Sequence, residues 1–170
     1  MGRNSYTTAA ARRLGYRSGF ESDLAADLQE HGIDFEYESK NCKLTYYKTV
    51  PKGAVIDKEG VLKELDKGDK VIQICEYTCD FLIPKKKGGF LWLETKGRFV
   101  GKDRTKHKLI KAQHPDIDLR MLFSYNGKAT PKLSYLQWCR EVGIPAATVV
   151  KPTKTRKGRY LPTAWMKEIA

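Results

Sequence analysis

The order of patterns along the chain predicts a mixed α/β fold: a helix, a group of strands, a second helix, one more strand and two closing helices. Three observations carry this. Phe20, Leu24 and Leu28 recur at helical spacing; the run from Val71 to Lys96 is apolar, β-branched and aromatic with only short breaks; and a helical pattern over Asp103–Gln113 precedes an apolar segment at Leu119–Ser124.

The first helix spans about Phe20–His31, with Ser18 as candidate N-cap and Gly32 as a stop. On its wheel Glu21 borders the apolar stripe beside Leu28, whereas Asp23 and Glu30 lie further round. Residues 35–38 and 44–50 read as strands. Pro51, Gly53, Gly60 and Gly68 punctuate a hairpin-like excursion over 51–70. Strands are expected at 71–76, 78–83 and 90–96, and the turn Pro84–Gly89 makes the last two an antiparallel pair. Asp103 is a plausible cap for the next helix, on which Arg104, His107, Lys108 and Lys111 share a basic face opposite Leu109 and Ile110. Helices at 134–142, ending at Gly143, and at 162–169 close the chain.

Of 170 residues, 32 are Lys or Arg and 20 Asp or Glu, a formal charge of +12. Residues 1–20 hold four arginines and no acid, residues 84–113 hold ten bases against Glu94 and Asp103, and residues 151–159 hold five bases; the rest of the chain is net acidic. Three basic stretches on an otherwise acidic chain point to a shaped surface for nucleic acid. A hydrophobic fraction of 41% supports a core, which excludes a disordered chain, and no apolar run is long enough to span a membrane or serve as a signal peptide. Cys42, Cys75, Cys79 and Cys139 are too sparse for a disulfide scaffold and, with His31, His107 and His114, lack zinc-ligand spacing. Free thiols in a reducing, cytoplasmic setting are the expectation.

The chemistry concentrates in one hairpin. Asp80 sits within an apolar strand, where an ionised carboxylate needs compensation. On the partner strand Glu94 and Lys96 project from one face. Two carboxylates and a lysine there suit Mg²⁺ or Mn²⁺ and phosphodiester hydrolysis, and a two-metal site would need a further acid, for which Glu21 is the candidate. The Glu-x-Lys spacing occurs twice, at Glu94–Lys96 and Glu38–Lys40, so by itself it is weak; a salt-bridged strand pair is the competing reading. The histidines read as a phosphate contact (His107) and helix-terminal packing (His114), and Trp92, Trp138 and Trp165 as core.

The residues Arg17–Glu21, Phe35–Glu38, Asp80–Leu82, Glu94–Gly97, Lys106–Ile110, Gln113–Pro115, Phe123–Ser124, Ser134–Tyr135, Gly143–Ile144, Pro162 and Trp165–Glu168 resemble, in that order, the bacteriophage endonuclease I family of Holliday-junction resolvases, within the PD-(D/E)XK nuclease superfamily. The resemblance implies a restriction-endonuclease-like central sheet flanked by helices in an intertwined homodimer. It implies metal-dependent cutting of branched DNA, above all four-way junctions, to 5′-phosphate and 3′-hydroxyl ends. Asp80, Glu94, Thr95 and Glu21 would surround one or two Mg²⁺ or Mn²⁺ ions, Lys96 would stand at the attacking water, and Glu21 would come from the partner chain. DNA contacts are expected from Arg17, Lys102, Arg104, His107, Lys108 and Lys111. A basic arm at 1–16 would precede one nuclease domain at 17–170, with an inserted excursion at about 47–77 and a basic loop at 151–159. Cys79 stands where the family motif usually has Pro. The alternatives are a sequence-specific restriction-like or homing endonuclease, indifferent to branching, and a non-catalytic basic nucleic-acid-binding module.

Overall fold

The computed structural model describes residues 8–51, 55–56, 62–63, 68, 70–150 and 161–169, so the basic stretch at 151–159 and most of 51–69 lie outside the described residues. Two compact units result. The larger, residues 1–43 with 78–170, contains a five-stranded sheet in the order β1-β6-β7-β8-β9, built from Glu36–Tyr37, Phe81–Pro84, Phe90–Lys96, Asp118–Phe123 and Ala146–Thr148. The pairs β1–β6 and β6–β7 are antiparallel, and β7–β8 and β8–β9 are parallel. The smaller unit, Leu44–Tyr77, pairs β2 (Lys43–Pro51) with β5 (Lys70–Thr78) and β3 (Val55–Ile56) with β4 (Leu62–Lys63).

Helices cover both faces of the sheet. On one, α2 (Gly19–Glu30) buries Phe20, Leu24 and Leu28 with Phe81, Ile83, Leu91, Leu93 and Leu122, and Ile169 of α5 (Thr163–Ile169) joins the same cluster. On the other, α3 (Gly101–Gln113) contributes Ile110, and α4 (Tyr135–Val142) sets Tyr135 and Trp138 against Phe99, with Cys139 on Met121. Alternation along β7 explains the split: Leu91 and Leu93 face α2, while Trp92, Glu94 and Lys96 face the α3 side.

The local signals act as their chemistry requires. Ser18 Oγ accepts the Glu21 N–H while Glu21 accepts the Ser18 N–H, closing a capping box on α2. Ser134 and Gln137 do the same for α4, which ends at Gly143 with φ 77°, a left-handed position that suits glycine. Four readings change. The break expected near Tyr77 falls instead at Cys79–Asp80, after β5 has run on to Thr78. Asp103 is the third residue of α3 rather than its cap, and its carboxylate accepts the Val100 N–H. A short helix α1, Thr8–Arg13, occupies part of the basic arm, and β9 is an additional parallel strand.

Candidate active site

The site lies where β7 ends. Phe81 pairs with Leu93, so one step further along the ladder Asp80 comes beside Glu94. The chain leaves regular β-structure there: Cys79 N–H donates to Cys42 O, and Asp80 O accepts the Glu38 N–H. Asp80 and Glu94 are 1% and 2% exposed, depths at which carboxylates need compensation.

Each oxygen of Asp80 has its own duty. Oδ2 accepts both the Thr95 N–H and the Thr95 hydroxyl, each at 2.7 Å. Oδ1 takes Arg17 Nη2 at 2.7 Å, and the same nitrogen is paired with Glu38 Oε1. Burial and then the charge of Glu94 push the Asp80 carboxyl up to about 7, against Lys96 and the Thr95 hydrogen bonds.

Glu94 is placed differently. Its Oε1 lies 2.6 Å from Lys96 Nζ, 3.4 Å from His107 Nε2 and 3.9 Å from Lys106 Nζ. Burial opposes its ionisation, but the adjacent His107 ring, Lys96 and Lys106 hold it well below the usual carboxylate range. For Lys96, burial disfavours the charge, but Glu94 and Asp80 more than offset that and raise its pKa. Lys96 is therefore an ammonium at neutral pH when no metal is bound.

The structure thus brings Asp80, Glu94, Thr95 and Lys96 together. Glu21 stands one link away: its Oε2 accepts the Arg17 N–H at 3.0 Å and the Tyr37 hydroxyl at 2.5 Å, and Arg17 carries the connection on to Asp80. Of the expected DNA contacts, Lys102 and Lys108 are exposed and Lys111 half-buried, but Arg104 donates to Phe99 O at 2.8 Å. His107 is a correction. It is 0% exposed, its Nδ1 donates to Asp103 O, and it stands behind Glu94 instead of on a solvent-facing basic surface. The stripe of α3 that turns inward is His107 and Ile110, one helical turn apart.

Sequence reasoning did not single out Tyr37, Glu38 and Lys106 as parts of this site. Glu38 left no signal, because its left-handed φ of 44° occurs in a residue that carries no special tolerance for it. Tyr37 alternates with Glu36 in a two-residue strand too short to reveal its inner face.

Among the described residues no group of three or more His, Cys, Asp or Glu is arranged to hold a metal ion unaided. Mg²⁺ does not need one, since it commonly keeps several waters and takes one or two protein carboxylates. Asp80 and Glu94 are hard oxygen donors whose mutual repulsion a cation relieves, so the residues present fit a divalent ion.

A family model described as phage endonuclease I matches residues 70–170, which include Asp80, Glu94, Thr95 and Lys96. Endodeoxyribonuclease 1 of Enterobacteria phage T3 is 32% identical over 163 residues, covering 88% of this chain and 87% of the relative. Endonuclease I of Escherichia phage T7 is 31% identical over 170 residues, covering 96% of this chain and 87% of the relative. With these likenesses extending over nearly the whole sequence, the chain belongs to the phage endonuclease I family, a family of nucleases.

Proposed function

We propose that the protein is a structure-selective endodeoxyribonuclease that resolves four-way DNA junctions and other branched DNA by metal-dependent phosphodiester hydrolysis, leaving 5′-phosphate and 3′-hydroxyl ends. The observation that carries this reading is the pair of buried carboxylates, Asp80 and Glu94, at the end of one hairpin, with Lys96 2.6 Å from Glu94.

Asp80 and Glu94 would hold the Mg²⁺ or Mn²⁺, with Thr95 fixing Asp80 through two hydrogen bonds to Oδ2. A bound divalent ion supplies an acidified water and neutralises phosphate charge. Lys96, kept charged by Glu94 and Asp80, donates to the attacking water and to the negative charge that develops on the phosphoryl oxygens. His107, anchored through Nδ1 on Asp103 O, packs behind Glu94 with Nε2 3.4 Å from Oε1 and would limit how far the carboxylate turns from Lys96. Glu21 would complete a two-ion arrangement. The basic residues exposed on α3 would hold the DNA backbone.

A two-fold homodimer would carry two such sites and make paired cuts across a junction. In one chain α2 packs on its own sheet through Phe20, Leu24 and Leu28; an intertwined dimer would supply the same helix from the partner to the same place. The relevant compartment would be the host-cell cytoplasm. Among the described residues no helix is long and apolar enough to cross a membrane.

The test is cleavage of a labelled four-way junction and of a linear duplex of the same sequence in Mg²⁺. Selective, paired cutting of the junction that disappears with Glu94→Ala is the expected result. Equal cutting of both substrates, or one preferred duplex site regardless of branching, would overturn junction selectivity; activity surviving Glu94→Ala would overturn the assigned site.

A further inference from the structure

Arg17 joins a fixed backbone to an exposed side chain. Its backbone is fixed, with the N–H on Glu21 Oε2 at 3.0 Å and on the Tyr37 hydroxyl at 3.1 Å, but its side chain is 60% exposed. That side chain reaches from solvent onto Asp80 Oδ1 at 2.7 Å. Because Thr95 already gives two hydrogen bonds to Oδ2, Oδ1 is the Asp80 oxygen left for a cation, and the Arg17 guanidinium is the cation seated on it.

Glu38 holds the guanidinium there from the other side. The same Nη2 is paired with Glu38 Oε1, and the Glu38 N–H donates to Asp80 O at 3.1 Å, which ties the backbone of one carboxylate to that of the other. Glu38 is also the one described residue other than glycine with positive φ, 44°. A strained backbone is tolerated where the surroundings over-determine it, and here it aims a carboxylate at Arg17.

We infer that Arg17 is a tethered latch on the metal site: it neutralises Asp80 while no divalent ion is bound, yields Oδ1 when one is, and then turns its guanidinium to a DNA phosphate without moving its anchored backbone. The inference rests on the metal-dependent reading proposed above. Guanidinium suits both positions, because its planar fork matches carboxylate and phosphate alike. Two consequences follow from competition for one oxygen. Arg17 weakens metal binding to the DNA-free protein, and metal strengthens DNA binding by releasing a phosphate ligand, a coupling that must be reciprocal.

The experiment compares the full-length protein with its Arg17→Ala variant. The variant retains both main-chain hydrogen bonds of residue 17, and circular dichroism verifies its fold. Mn²⁺ is titrated calorimetrically into each without DNA, and junction binding by each is measured with and without Ca²⁺. The expected result is Mn²⁺ affinity about tenfold tighter in Arg17→Ala, the size of effect a lost charge-assisted hydrogen bond gives. The Ca²⁺-dependent gain in junction affinity should shrink in the same variant. A side-chain nitrogen resonance of Arg17 that shifts when Mg²⁺ is added to the wild type gives a third readout. Equal or weaker Mn²⁺ binding by Arg17→Ala overturns the latch while leaving the metal site standing. No Mn²⁺ binding by the wild type overturns both.

Discussion

The parallel pair β7–β8 buries charge at each of its ends, and the two clusters resolve that charge differently. Where Asp118 pairs with Leu91, Arg120 reaches Asp118 at 2.8 and 2.7 Å and Glu168 at 3.1 and 2.5 Å, while Lys85 lies 3.0 Å from Asp118. Two acids meet two cations. Burial opposes Asp118 ionisation, but Arg120 and Lys85 hold its carboxyl below the ordinary range, and the Arg120 hydrogen bond does the same for Glu168. Where β7 ends, Asp80 goes the other way, up to about 7, despite Arg17 and Lys96. The Asp118 cluster is closed and ties α5 to β8, with the Arg120 guanidinium 5.2 Å from the Trp165 ring centroid. At the Asp80 cluster burial and the neighbouring Glu94 outweigh the cations, so an ionised Asp80 is costly and a bound divalent ion would relieve that cost.

The largest break in this comparison comes from removing an acid at the open end. Asp80→Ala or Glu94→Ala should lower junction cleavage at least about a thousandfold while junction binding persists, measured as single-turnover rate against gel-shift affinity. Lys96→Ala should cost about a hundredfold in the same rate with little change in affinity, because its ammonium acts on charge that develops in the transition state.

At the closed end the effect is on stability. Arg120→Ala should lower unfolding free energy by about 1 kcal/mol in urea titrations, since it removes a buried guanidinium that joins half-buried Asp118 to exposed Glu168 while Lys85 stays on Asp118. Cleavage per folded molecule should stay within twofold of wild type. A smaller effect follows from acid. Asp118 has a depressed folded pKa, so its contribution is complete above its unfolded value of about 3.9 and fades as pH falls below that. Trp165 fluorescence should register the loosening of α5, and Arg120→Ala should remove that part of the acid transition.

Much of this site was legible in the chain. Asp80 stands in an apolar run just before β6 and Glu94 lies within β7, and the Pro84–Gly89 turn made those strands an antiparallel pair. The helical wheel put Glu21 at the edge of the apolar stripe but set Asp23 further round, whereas Asp23 and Asp27 are buried as deeply as Glu21. What failed depended on contacts between distant segments. His107 lies among bases on α3 and read as a phosphate ligand, yet its ring is buried, with Nδ1 on Asp103 O and Nε2 3.4 Å from Glu94 Oε1. Arg17 read as a DNA contact, because nothing in its neighbours announces Asp80, 63 residues away. β9 is three residues long, too short for a periodic signal. Thr8–Arg13 is rich in alanine, which favours helix, but shows no apolar stripe to mark its buried side, where Ala11 lies.

Burial and Glu94 hold the Asp80 carboxyl up to about 7 even with Arg17 on Oδ1, and thermal unfolding tests this directly. Between about pH 5.5 and 8 Glu94 is ionised in both folded and unfolded chains, so Asp80 is the member of the pair whose ionisation changes. Its folded pKa of about 7 lies above the unfolded value, so the metal-free protein should lose stability as pH rises through that window. At pH 8 in chelator, Asp80→Asn should melt about 5 °C higher than wild type, and Mg²⁺ should raise the wild-type midpoint and leave the variant unchanged. An Asp80→Asn protein that melts lower than wild type in chelator, with Mg²⁺ shifting neither, would contradict the account.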